Sequence, residues 1–315
     1  MEQELRDRAT PSPPKLRVAL MSIVPNLLGG EGHVIDYHQS VGQAADRLHW
    51  KHFVACVSDS RLQHYPPFWY PCLQGGDLEA EGNIWQKLGR IRNIFRLGRS
   101  IARFANEKIL PQGDRAILFV ERFIHLQLLA IFLSLLFLPR QNLAVWLLYR
   151  RDIHRSKTGW VYRVLNEAIA RLLPPGRLVL LTDSELLQES LSSYFQKTVT
   201  VLPIPHTEIL HRDRFPRPSS EILCWWSGPP REEKGWQVVK SLVETSFQGC
   251  ENICILAAQS SQLAAIEGGV RVELLDDNLN RSNYVKWMNT CDFVLIPYDS
   301  ISYGLLRKQH SAISS

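Results

Sequence analysis

The feature that most restricts what this chain can fold into is an alternation. Short apolar runs of strand length are followed repeatedly by longer segments with helical periodicity, the pattern of parallel sheets covered by helices. Leu16 to Val24 reads as the first strand, Gly32 to Leu48 as the first helix and Phe53 to Val57 as the second strand. A long helix is expected over Ile84 to Lys108. Further strands are expected over Ile117 to Val120, Leu143 to Tyr149, Leu178 to Thr182 and Val199 to Leu202, with helices over Phe123 to Leu138, Gly159 to Leu173 and Ser184 to Phe195 between them. Asp183 or Ser184 would cap the last of these helices.

The pattern is interrupted once. Residues 204–220 carry prolines and charges with no period and read as a linker. Beyond them the alternation restarts with strand Ile222 to Trp226, a helix from Trp236 to about Thr245 and strand Ile253 to Ala257. A short helix around Gln262 to Ile266, strand Val270 to Leu275, helix Ser282 to Asn289 and a buried strand Phe293 to Pro297 complete it. The expected organisation is a disordered lead-in over 1–14, a first α/β domain over 15–203, the linker, and a shorter α/β domain over 221–315. The length of 315 residues and the ordinary share of hydrophobic residues, 45%, suit two such domains.

Composition sets limits on partners and compartment. A net charge of +5 is too mild to imply strong nucleic-acid binding. The six cysteines form no CxxC pair, and several sit in apolar runs, which fits a reducing cytoplasm. The most hydrophobic segment, Ile124 to Leu138, is 15 residues long and contains His125 and Gln127. A spanning helix needs roughly 20 apolar residues, so a buried helix is expected here.

Four stretches could carry chemistry. In "PNLLGGEGHVIDYHQSV" (25–41), Gly29, Gly30 and Gly32 let backbone approach a ligand ahead of a helix whose free N–H groups suit an anion, although a plain strand-to-helix turn explains them too. It is not a GxGxxG fingerprint, because Ile35 takes the third glycine position. In "WSGPPREEKGWQVV" (226–239), Gly228, Arg231, Lys234 and Gly235 repeat the arrangement with two cations suited to a diphosphate. The other reading of that loop is a solvated turn with self-paired charges.

"FVERFIHLQLL" (119–129) places Glu121 and His125 just beyond a strand end, where an imidazole could bind a hydroxyl or assist proton transfer. A lone histidine is as often structural, and a carboxylate there could cap the helix. Finally, Arg92, Arg96, Arg99 and Arg103 share one helical face while Ile91, Phe95 and Ala102 share another, a basic amphipathic helix that could meet an anionic membrane or be merely solvated. "YRRDIHR" (149–155) is a second basic cluster beyond a strand. No HExxH, Walker loop, GxSxG or Asp-x-Asp occurs, and no bound metal is expected.

Taken together, these stretches resemble the retaining glycosyltransferases of GT-B architecture, in the large group-one family. "GGEGHVIDYHQSVGQAA" looks like that family's glycine loop and first helix, and "SGPPREEKGWQVVKSL" looks like its donor-phosphate motif. "YVKWMNTCDFVLIPYDSISYG" looks like its late helix, strand and loop, with Asp292, Pro297, Tyr298 and Tyr303 in place. The resemblance implies two Rossmann-like domains and transfer of a sugar from a nucleotide-diphosphate sugar to the hydroxyl of a saccharide or lipid-linked acceptor, with no nucleic-acid partner. Arg231 and Lys234 would neutralise the leaving diphosphate, with Gly228, Gly235, Tyr298 and Tyr303 also at the donor. Gly29, Gly30 and Gly32 would approach phosphates or acceptor. His125 would lie near the transferred sugar, with Glu121 beside it.

The resemblance has a gap. Family members continue beyond such a tyrosine with a glutamate-bearing helix, whereas "LRKQHSAISS" contains no glutamate, so the second domain is expected to be truncated and incomplete. A non-catalytic remnant that binds nucleotide sugar or a partner is the alternative. The aromatic stretch "HYPPFWYPCLQGG" reads as a packed surface loop, or as a place where aromatics stack on a sugar ring.

Overall fold

A computed structural model describes residues 16–25, 32–58, 65–75, 78, 84–154, 156–202, 213–217, 220–226, 235–245, 250–277, 279 and 281–297. They form two parallel sheets, each built from its own half of the chain.

The first sheet contains β1 (Val18–Val24), β2 (Lys51–Val57), β3 (Trp69–Leu73), β4 (Arg115–Val120), β5 (Leu143–Tyr149), β6 (Leu178–Thr182) and β7 (Val199–Val201), in the order β3-β2-β1-β4-β5-β6-β7. All pairings are parallel. Strand β1 is buried along its whole length, as expected for a central parallel strand covered on both faces. Its side chains divide by the period of two. Ala19, Met21 and Ile23 join the core under α2 (Ile84–Phe104), α3 (His125–Leu135), α4 (Gly159–Leu172) and α5 (Glu185–Phe195), whereas Val18 and Leu20 join Tyr37 and Ala45 of α1 (Gly32–Arg47) on the other face. Helices α2 and α3 approach closely at Gly98, where a Cβ would lie 2.8 Å from the carbonyl oxygen of Ala130.

The second sheet contains β8 (Ile222–Trp226), β9 (Ile253–Ala258), β10 (Arg271–Leu275) and β11 (Phe293–Val294), in the order β10-β9-β8-β11. Helix α6 (Trp236–Glu244) packs Val239 and Val243 with Trp226 and Ile255 on one face, and α7 (Arg281–Thr290) packs Trp287 and Met288 toward Trp225 and Leu256 on the other. This is the expected α/β architecture with two Rossmann-like units.

Several expectations need correction. The aromatic stretch read as a loop contributes β3, whose Trp69 and Leu73 are buried; its Pro71 is tolerated because β3 lies at the sheet edge. The long helix expected to reach Lys108 ends at Phe104 and continues as a π-helical turn, Ala105–Ile109. The short helix around Gln262 is a pair of 3-10 turns. The strand expected to be buried over Phe293 to Pro297 extends only over Phe293–Val294, and Phe293 and Ile296 are 61% and 60% exposed. Among the described residues it pairs with β8 alone.

Helix α3 is the buried helix expected from the apolar segment, with Leu128, Ala130, Ile131 and Leu135 inside. Among the described residues no helix is long and apolar enough to cross a membrane.

Candidate active site

A doubly wound sheet leaves a crevice at the carboxyl ends of its strands, at the point where the strand order reverses. In the first sheet that point lies between β1 and β4, and in the second between β8 and β11. The chemistry-bearing residues of each half must be sought there.

In the first half, three charged residues follow three adjacent strands directly: Glu121 after β4, Arg150 after β5 and Asp183 after β6. Parallel register therefore sets them side by side. Arg150 Nη1 lies 3.3 Å from Glu121 Oε2 and Arg150 Nε lies 3.4 Å from Asp183 Oδ2, so one guanidinium bridges two buried carboxylates. His38, on α1, brings its Nε2 to 3.3 Å from Glu121 Oε1. The guanidinium also lies over the Tyr37 ring, 4.5 Å from its centre. His38 and Glu121 are 1% and 4% exposed. Charges so deep are tolerated only when paired, which makes Arg150 the cation shared by both carboxylates. Burial, with the nearby Glu121 carboxylate, pushes the Tyr37 phenol well above its ordinary range, so its ring serves as a neutral face for Arg150.

One shell further in, Ser22 on β1 and the His52 ring on β2 are hydrogen-bonded at 2.8 Å. Burial, with a smaller contribution from the adjacent His38, pulls the His52 imidazole down to about 3, so it is neutral in the folded protein at neutral pH.

His125 has different surroundings. It is the first residue of α3, and the amino end of that helix is served by Gln127, whose Oε1 accepts a hydrogen bond from the Ile124 N–H at 2.8 Å. The His125 ring meets Tyr162 edge-on at 6.1 Å, and Tyr162 OH accepts from Arg151 Nη2 at 3.3 Å. Partial burial, and then the Arg151 charge, lower the His125 pKa. Asp152 accepts from the His154 N–H at 3.0 Å and from Ser190 Oγ at 3.1 Å, fixing the loop after β5 to α5. The basic cluster after β5 is thus divided: Arg150 turns inward, and Arg151 turns to Tyr162.

The sequence singled out Glu121 and His125, marked Arg150 only within the basic cluster 149–155, offered Asp183 as a helix cap and did not mark His38. Arg150 and Asp183 carried a usable signal, since each is the first residue beyond an apolar strand. His38 carried none.

In the second half, two ends of the donor-like motif come together at the switch point. Gly235 precedes α6 with φ 76°, a left-handed conformation, and a Cβ there would collide with the carbonyl oxygen of Pro297 beyond β11. Trp226, at the end of β8, and Trp236, at the start of α6, stack at 5.9 Å, which holds the two ends of the intervening loop. Gly228, Arg231, Lys234, Tyr298 and Tyr303 lie outside the described residues, as do Gly29 and Gly30; Gly32 begins α1. Asp292 lies at the amino end of β11, away from this point. It pairs in bidentate fashion with Arg217 and accepts from the Leu223 N–H at 3.0 Å, and these bonds hold its carboxyl down to about 2. Among the described residues no cluster of three or more His, Cys, Asp or Glu side chains is placed to hold a metal ion.

No family model matches the chain, and no curated protein matches it. Solved structures do. An alpha-glucosyltransferase in complex with UDP is 11% identical, with 88% of this chain and 72% of that one aligned at a TM-score of 0.53. An alpha-glucosyltransferase in complex with UDP and a 13-mer DNA is 12% identical over 89% of this chain and 71% of that one, at 0.52. The N-terminal domain of Candida albicans trehalose-6-phosphate phosphatase is 10% identical over 90% of this chain and 78% of that one, at 0.55. At such identities the likeness is one of fold, and the fold is the GT-B arrangement that the sequence motifs resemble. The DNA in one of these complexes leaves the expected absence of a nucleic-acid partner without support.

Proposed function

We propose that this chain is a retaining glycosyltransferase that takes a sugar from a nucleotide-diphosphate sugar. The observation that carries the reading is that each sheet has its chemistry-bearing residues at its own switch point: Glu121 with His38 beside β1 and β4, and Gly235 with Pro297 beside β8 and β11. In the sequence, residues 227–234 carry Gly228, Arg231 and Lys234, whose charges suit a leaving diphosphate, and Tyr298 and Tyr303 follow Pro297. UDP in the alpha-glucosyltransferase complexes agrees with such a donor.

In this reading His125, its pKa lowered by burial, acts as a neutral hydrogen-bonding partner for the transferred sugar. Glu121 acts differently. Because its carboxylate lies against His38 and Arg150, it serves as a positioning residue for the loops around the sugar rather than as a free base. Gly29, Gly30 and Gly32, which lie in the sequence between β1 and the first turn of α1, would approach the phosphates or the saccharide or lipid-linked acceptor. Six cysteines without a disulfide agree with a cytoplasmic setting, and the basic face of α2 with contact at the inner surface of a membrane.

The test is to incubate the purified chain with UDP-, ADP- and GDP-sugars and follow nucleoside diphosphate release, reading the first-formed sugar anomer by NMR. The reading expects release with one donor, retention of configuration, and at least a tenfold loss in Arg231→Ala/Lys234→Ala. Release that ignores both substitutions, or an inverted product, would contradict it. Donor binding without turnover would identify a binding protein of the same fold.

A further inference from the structure

Helix α2 carries Arg96, Arg99 and Arg103 at spacings of three and four residues, so their side chains leave the helix on one face. A basic stripe on a solvated helix needs no ligand. Here, however, the three arginines line a cavity of about 390 Å3 that extends to Gln74, beyond the end of β3, and to Asn106 and Phe137 near the ends of α2 and α3. That volume lies within the roughly 300–1,000 Å3 of small-molecule sites.

The walls are tied in place by side chains that bond to backbone. Ser100 Oγ accepts from the Gln74 N–H at 3.1 Å and donates to the Leu97 carbonyl at 2.9 Å, which fixes the chain leaving β3 to α2. Asn106 Nδ2 donates to the Phe137 carbonyl at 3.2 Å, which fixes the end of α3 on the opposite side. These bonds tie together the backbone that frames the concavity.

Among the described residues the charge within it is not balanced. Arg103 has Glu107 at 3.8 Å, a loose and exposed pair, and among the described residues no carboxylate pairs with Arg96 or Arg99. Cys72, on the same wall, is pushed up to about 11 by burial, so it remains a thiol and supplies no negative charge. Guanidinium groups gathered around one cavity repel each other until an anion enters, and their planar forks match tetrahedral oxyanions. Phe137 is exposed at the cavity edge, and Phe95 is exposed on α2 one turn before Arg99.

We propose that this cavity is a binding site for a phosphate-class oxyanion, held by Arg96, Arg99 and Arg103 and separate from both switch points. The phosphate can come from a soluble phosphomonoester or from the headgroup of an anionic lipid. The apolar Phe137 beside the basic pocket is compatible with either.

The test uses the full-length chain labelled with 15N and titrated with inorganic phosphate while the Asn106 side-chain amide and the Gln74 amides are followed by NMR. These signals are expected to shift saturably. Affinity is expected to fall at least tenfold in Arg96→Gln/Arg99→Gln and to change little in Arg92→Gln, which removes the same type of charge from α2 outside the cavity. Glycerol 3-phosphate and vesicles of phosphatidylcholine with phosphatidic acid, compared at equal phosphate, distinguish the soluble source from the lipid one, and tighter binding of either supports the site. Unmoved Asn106 and Gln74 signals, equal loss in Arg92→Gln and the double variant, or a response to duplex DNA without one to inorganic phosphate would overturn the proposal.

Discussion

The two sheets differ in where their charges lie. In the second, Glu221 immediately precedes β8, Arg271 begins β10 and Asp292 immediately precedes β11; Arg271 pairs with Glu221, and Asp292 with Arg217, in partly exposed positions. The first sheet has such a pair as well, Arg17 with Asp114 at 2.9 Å, at the amino ends of β1 and β4. Only the first sheet adds, among the described residues, a second and buried set at the carboxyl ends: Glu121, Arg150 and Asp183. Amino-end pairs join strand starts that water still reaches, and they contribute little beyond geometry. Carboxyl-end charges pass through a large desolvation penalty, and a fold retains them where a site must be held in one arrangement.

The sharpest way to break this contrast is to remove its hub. Arg150→Met leaves Glu121 and Asp183 buried without their cation and should cost about 3–5 kcal/mol in urea unfolding. Adding Glu121→Gln and Asp183→Asn to that variant should recover a substantial part of the loss. If Arg150→Met costs no more than an amino-end substitution, the contrast fails.

Acid titration examines a partly buried group beside His38, the His52 ring, with the two ring centres 6.5 Å apart. The folded-state pKa of His52, about 3, lies below its ordinary value of 6.5, so the unfolded chain binds the extra proton between those limits. Stability should be complete above about pH 6.5 and fall as pH drops toward 3, by at most ~1.4 kcal/mol per pH unit from this group. His52→Gln should flatten that part of the profile, read from urea midpoints at pH 7, 6 and 5.

At the amino ends the expected effects are smaller. Asp292→Ala removes two bonds from Arg217 and one from the Leu223 N–H, and should cost about 1–2 kcal/mol in the same assay. The smallest effect is expected for Asp114→Ala, whose exposed partner Arg17 is simply returned to water, with a urea midpoint close to that of the parent chain.

The strands most plainly legible in the sequence are those buried on both faces, because β1, β4, β5 and β9 read as nearly continuous apolar runs between helical segments. Strand β3 was hidden by Pro71 and by its edge position, where alternation is weak and turn residues crowd the same stretch. Phe293 to Pro297 misled for the opposite reason: an apolar run was read as buried, although an edge strand has a neighbour on one side only. The glycine, arginine and histidine motifs were visible because they are local. The His38–Glu121–Arg150–Asp183 arrangement was not, since its members come from four distant parts of the chain and meet only through the order of β1, β4, β5 and β6. Of these, Glu121 was noticed for what it could do in a site, Arg150 only as part of a basic cluster and Asp183 only as a helix cap.

The central claim is that a nucleotide-sugar donor is taken up at the two switch points. Hydrogen–deuterium exchange of the full chain with and without the donor identified by the release assay tests it most directly. Protection is predicted over residues 226–239 and 293–298 of the second half and over 119–125 of the first, with the rest of both sheets unchanged. Protection confined to other surfaces, or none at saturating donor, would contradict the account.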